Sequence, residues 1–151
     1  MVIELIKREV EALNGQHEKV FVCGFSQGCA IALAAFLLYP DGRLGGCFGG
    51  SGSHALELDY ASEVNVELKK QSKIMLYSGE NDPMSEKGED SYQELTEQGL
   101  NFTFEKEPGC GHGLTDIGKT KIAIYLHEMM GEPYEPKICL LYTSPSPRDR
   151  G

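Results

Sequence analysis

The chain has 151 residues, of which 40% are hydrophobic and 25% charged, and a formal net charge of −9. That length suits one domain with a real core, and no apolar run reaches the ~18 residues of a membrane span. The acidic balance, with no Lys/Arg cluster, disfavours nucleic acid and anionic membranes as partners. In chain order, residues 2–13 set Val2, Ile3, Ile6, Val10 and Leu13 at helical spacing, with Gly15 as the stop. Residues 19–24 form a short run rich in β-branched and aromatic residues and read as a buried strand. Residues 27–39 are apolar all round, which marks a helix buried against a sheet, and Pro40-Asp41-Gly42 ends it.

Further strands are expected at 45–50, weakened by its glycines, at 72–78, and at 101–105, where apolar and polar positions alternate. Helices are expected at 86–98 and 114–130, the second offering Ile117, Ile122, Ile124, Tyr125 and Met129 to a core. Strands alternating with helices imply an α/β fold with about four mostly parallel strands and flanking helices. Cysteines stand at 23, 29, 47, 110 and 139, with no Cys-x-x-Cys spacing and an odd count. Reduced thiols in a cytoplasmic protein, without a metal site, are expected. The opening Met1 to Arg8 lacks the apolar core of a signal peptide.

Gly24-Phe25-Ser26-Gln27-Gly28 is a Gly-x-Ser-x-Gly motif between a predicted strand and a predicted buried helix. A nucleophile elbow requires that context: the serine takes a strained turn, flanking glycines avoid clashes, and the helix N-terminus favours developing negative charge. Serine is a poor nucleophile until a base takes its proton, and a third group must orient the base. An acid should follow the serine and a histidine should follow the acid. Asp82 and Glu80 both stand in the turn Ser78-Gly79-Glu80-Asn81-Asp82-Pro83, after a strand. His112 stands in Pro108-Gly109-Cys110-Gly111-His112-Gly113, where the glycines leave its ring free to approach a neighbouring site. His17 precedes the serine, His54 follows it too early, and His127 falls in mid-helix. Cys110 has no elbow or electropositive setting to make it a nucleophile.

With these motifs the sequence resembles the acyl-protein thioesterase and carboxylesterase branch of the α/β-hydrolases, also labelled phospholipase/carboxylesterase. The resemblance rests on Gly-Phe-Ser-Gln-Gly at 24–28, Gly-Glu-Asn-Asp-Pro at 79–83 and Pro-Gly-Cys-Gly-His at 108–112, and covers about residues 1 to 131. It implies Ser26 as nucleophile, Asp82 as the acid, His112 as general base and acid, and the backbone N–H of Gln27 as one oxyanion donor. It also implies hydrolysis of carboxylic esters or acyl thioesters, lysophospholipids included, with no metal or cofactor. The substrate would be a small ester or an acylated protein.

Three departures stand out. Cys29 occupies the place of the family's third elbow glycine, so close helix-on-strand packing is in question. Met84-Ser85-Glu86-Lys87 replaces a usually apolar stretch, so the substrate-facing loop should differ. The family's His-Gly-x-Gly loop, source of the second oxyanion donor, has no counterpart before the elbow, and one edge of the elbow strand should be bare. The sequence therefore reads as the C-terminal portion of an α/β-hydrolase fold over 1–138. Residues 139–151 resemble the translation of a common transposase sequencing adapter and are expected to be non-native and disordered. Two other readings share these features: a short non-catalytic α/β module that binds an acyl group or a protein, and a peptidase or dienelactone-type hydrolase on the same fold.

Overall fold

Alternate residues of Lys-Ile-Met-Leu-Tyr-Ser-Gly at 73–79 face opposite sides of a strand, and here both sides are apolar. Such a strand is stable only between two covering layers. The computed structural model describes residues 1–54 and 66–131 and places this strand inside a parallel sheet. Its strands are β1 (Phe21–Phe25), β2 (Gly46–Gly50), β3 (Lys73–Gly79) and β4 (Asn101–Glu107), in the order β1-β2-β3-β4. The helices are α1 (Val2–Ala12), α2 (Gln27–Leu38), α3 (Val66–Lys69), α4 (Ser85–Glu97) and α5 (Asp116–Met130). The adapter-like stretch 139–151 and the boundary at 138 lie outside the described residues.

One face of the sheet carries the main core. Val22, Cys47, Ile74, Leu76 and Phe102 pack there with Ile6 and Val10 of α1, Leu33 and Phe36 of α2, and Leu95 of α4. The opposite face presents Phe48, Met75 and Tyr77 to Tyr125 of α5. Helix α2 lies deepest, with Cys29, Leu33 and Phe36 at 0% exposure, which explains its lack of a polar face. Helix α1 buries the stripe its spacing predicts and ends in a left-handed turn: Gly15 N–H donates to Val10 O at 2.8 Å and Asn14 N–H to Glu11 O at 3.0 Å.

Several boundaries differ from the sequence reading. Strand β1 starts two residues late because residues 17–19 form a 3-10 turn, and it continues to Phe25. Strand β4 runs on to Glu107, since Ser78 and Gly79 of β3 still pair with Lys106 and Glu107. In α5, Tyr125 is buried as expected, but Ile117 and Ile124 point outward at 56% and 38% exposure. Among the described residues β1 pairs with β2 alone, and Cys23 and Phe25 on its α5-side face are exposed.

Lys69 is the unusual core residue, 2% exposed. Its Nζ donates to the Tyr39 carbonyl at 2.7 Å and sits 5.4 Å from the ring centroids of Phe36 and Tyr39. Burial lowers its pKa from 10.5 to about 8. The folded state therefore releases this proton before the unfolded chain does, and the contribution of Lys69 to stability rises with pH between about 8 and 10.5. In denaturant melts from neutral pH to about pH 9.5, the wild type should gain about 2 kcal/mol relative to Lys69→Met, while the buried thiols of Cys29 and Cys47, with their raised pKa values, lower the stability of both. Equal pH slopes in both proteins would remove Lys69 as the cause.

Candidate active site

Ser26 sits between β1 and α2 as the N-cap of the helix, with φ 56° and ψ −120°. A serine in this region is strained by about 1–3 kcal/mol and stays there only if its surroundings hold it. Ser26 N–H donates to Gly50 O at 2.8 Å, carrying the β1–β2 ladder one step past the strand, and Ser26 O accepts from Cys29 N–H at 3.0 Å. Gly24 makes the turn possible, since a Cβ there would lie 1.9 Å from Gly28 O. The second motif glycine is under no such pressure: a Cβ on Gly28 would meet nothing within 4 Å. Cys29 is accommodated from across the helix–sheet boundary, where added Cβ atoms on Gly49 and Gly52 would come within 2.4 Å of its side chain.

Asp82 and His112 arrive from the ends of β3 and β4. Gly79, paired with Glu107, lets the two following loops touch: a Cβ there would lie 2.3 Å from Cys110 O. Asn81 N–H donates to Cys110 O at 2.8 Å. Asp82, 4% exposed, then presents its carboxylate to the ring of His112, with Nδ1 at 3.0 Å from both Oδ1 and Oδ2. Nε2 of the same ring is 3.1 Å from Ser26 Oγ. An ionised carboxylate only accepts hydrogen bonds, so Nδ1 carries the proton and Nε2 is free to accept from the serine hydroxyl. Phe25 packs its ring 5.3 Å from that of His112. The three predicted side chains thus form one hydrogen-bonded line.

Burial acts to raise the Asp82 pKa, but Met84 N–H, the Ser51 side chain and His112 outweigh it and hold the carboxyl below its usual value. Met84 N–H donates to Oδ1 at 2.8 Å, so the departure from the family at 84–87 leaves the acid supported where α4 begins. Ser51 is fully buried at φ 50°, and its hydroxyl closes no hydrogen bond of normal geometry. Nothing in its sequence neighbourhood, Gly50-Ser51-Gly52, announced a role beside Asp82.

Glu80 does not reach the histidine. Its Oε2 accepts from Gly109 N–H at 3.2 Å, at a glycine with φ +73°, and so holds the loop rather than the ring. Gln27 opens α2, so its N–H belongs to the first turn, where donors lack intrahelical partners. His54 is buried against Ser91 Oγ at 2.8 Å and Glu94 Oε2 at 3.0 Å, while His17 pairs with the Tyr39 hydroxyl at 3.1 Å. The neighbouring Glu107 carboxylate raises the Cys110 pKa and so disfavours a thiolate. Among the described residues no group of three or more His, Cys, Asp or Glu is placed to hold a metal ion.

A parallel sheet with a serine on the strained turn from strand to helix, and an acid and a histidine on later loops, is the architecture of the α/β-hydrolases. Within that class the chain belongs to the Phospholipase/Carboxylesterase family, whose model matches residues 1–128. It is 35% identical to a probable carboxylesterase of Oryza sativa subsp. japonica, over 76% of this chain and 52% of that protein. It is 31% identical to acyl-protein thioesterase 1 homolog 1 of Dictyostelium discoideum, over 72% of this chain and 47% of that one. The crystal structure of Arabidopsis thaliana SOBER1 superposes with a TM-score of 0.78 at 33% identity, covering 85% of this chain and 61% of that chain. The chain spans about half the length of the curated relatives it matches.

The two motif glycines should respond differently to alanine. Gly24→Ala should destabilise by about 2–3 kcal/mol through overpacking against the turn backbone. Gly28→Ala, in open space in the first turn of α2, should be neutral or stabilising by ~0.5–1 kcal/mol. Urea melts of the two variants check this; equal losses would mean that both glycines are sterically required.

Proposed function

We propose that this chain carries the acyl-transfer centre of a serine hydrolase that cleaves carboxylic esters or acyl thioesters through an acyl-enzyme on Ser26. The observation that carries the reading is the line from Ser26 Oγ through both nitrogens of His112 to buried Asp82. His112 takes the hydroxyl proton at Nε2 as Oγ attacks the acyl carbon. The ring becomes an imidazolium held between Ser26 and the Asp82 carboxylate, then returns the proton to the departing alcohol or thiol. Water repeats the cycle, with His112 as base, to free the acid and regenerate Ser26. Asp82 remains ionised throughout, in keeping with its lowered pKa.

The tetrahedral intermediate carries an oxyanion, and the N–H of Gln27 at the start of α2 is one donor for it, aided by the helix dipole. A second donor would come from outside this sequence, with residues 1–138 forming part of the hydrolase domain and 139–151 no part of it. The chemistry calls on side chains and water, with no metal or cofactor. Candidate substrates are small carboxylic esters, lysophospholipids and acylated proteins. The free thiols of Cys23, Cys29, Cys47 and Cys110 support a reducing, cytoplasmic setting.

A missing oxyanion donor costs ~10²–10³ in turnover, so the test belongs on the protein encoded by the complete transcript. A fluorophosphonate probe should attach at Ser26 and fail on Ser26→Ala. Asp82→Asn should cut ester turnover by about 10³–10⁴ through loss of the correct tautomer. Among thioester, ester and amide substrates, the first two should turn over. A folded protein that does not label would favour the acyl- or protein-binding module, and efficient amide cleavage would favour a peptidase.

A further inference from the structure

Glu107 ends β4 and is buried, yet it takes no part in the line from Ser26 to Asp82. A buried carboxylate needs hydrogen-bond donors. Its Oε2 accepts from the Thr115 hydroxyl at 2.6 Å. Thr115 caps α5, its oxygen accepting from Gly118 N–H at 3.0 Å, and the Tyr77 hydroxyl lies 3.1 Å away. The single Thr115 proton goes to Glu107, so Tyr77 donates to Thr115. The Glu107 backbone carbonyl accepts from Cys110 N–H at 3.5 Å and from Glu80 N–H at 2.8 Å. Glu107, at the near end of the 108–114 loop, thus meets Cys110 through its backbone and Thr115 through its carboxylate, one on each flank of His112. The two contacts from the β3 side, Asn81 N–H to Cys110 O and Gly109 N–H to Glu80, both fall before the histidine. The Thr115 contact holds the side after it.

We propose that Glu107 is a positioning residue for His112: by holding Thr115 at the base of the loop, its carboxylate sets the distance from Nε2 to Ser26. The inference rests on the reading of Ser26 and His112 as nucleophile and base. A misplacement of about 1 Å in a reacting group costs on the order of 10²-fold in rate, so a clip outside the reacting groups has leverage.

The test compares Glu107→Ala, Thr115→Val and Thr115→Ser in the protein from the complete transcript. Three quantities are read: the rate of fluorophosphonate attachment at Ser26, kcat and KM on an ester, and the low-field Nδ1–H proton signal of His112. Glu107→Ala and Thr115→Val should each lower labelling and kcat by roughly ten- to hundredfold with KM unchanged, and should shift or broaden the His112 signal. The two combined should cost little more than the worse single change, because they break one network. Thr115→Ser, which keeps the hydroxyl, should restore labelling, kcat and the His112 signal. Wild-type labelling and an unmoved His112 signal in Glu107→Ala would overturn the proposal, as would Thr115→Ser behaving like Thr115→Val. If Glu107→Ala does not fold, the two Thr115 variants decide. If the wild type never labels, the reading of Ser26 as nucleophile falls, while the His112 signal still decides whether Glu107 positions the ring.

Discussion

The strained turn at Ser26 is the constraint on which the rest of the site depends. A serine at φ 56° would relax if the chain on either side could move. Neither side can. Before it, β1 is fixed to β2 in parallel register, with Phe25 opposite Gly50. After it, α2 is packed into the main core through Cys29, Leu33 and Phe36. Apolar burial of this kind is worth about 1.5–3 kcal/mol per large side chain, so a few buried positions in α2 outweigh the local strain. The core thereby keeps half-buried Ser26 at the head of the sheet.

Parallel pairing then brings the other two groups to the same edge. Parallel strands end together, so the residues that follow β1, β3 and β4 emerge side by side although 26, 82 and 112 are far apart in sequence. The approach of the last two loops is set by the absence of a side chain at Gly79. Cys29 depends on the same logic in reverse. It fills a position where the family carries glycine, and the room comes from Gly49 and Gly52 on the facing segment. The close packing questioned from the sequence is kept with the side-chain volume moved from one partner to the other.

What the sequence revealed and what it hid divide along contact range. Strand β3 and helices α1 and α2 were legible because their apolar spacing reports burial directly. The polar end of β4 was not, because Lys106 and Glu107 pair through backbone that takes no account of side-chain polarity. Helix α3 has four residues, too few to show a period. In α5, Ile117 and Ile124 looked like core because hydrophobicity alone cannot say which of two apolar stripes meets the sheet. Local glycine-rich motifs singled out Ser26 and His112, while the family resemblance put Asp82 ahead of Glu80 in the same turn. Glu107 was missed because its side-chain partner, Thr115, lies beyond the histidine loop.

The three carboxylates around the histidine loop show why residue type alone could not choose among them. Asp82, Glu80 and Glu107 all lie at or beyond the ends of β3 and β4, yet only Asp82 contacts the ring. Glu80 is the first residue past its strand, and its longer side chain reaches the Gly109 N–H instead. Glu107 is still in its strand and points to donors at the base of the loop. A second carboxylate on the imidazole would compete with the first for Nδ1–H, or would accept from Nε2 and take up the nitrogen that faces Ser26. Two acids directed to the loop and one to the ring keep that nitrogen open.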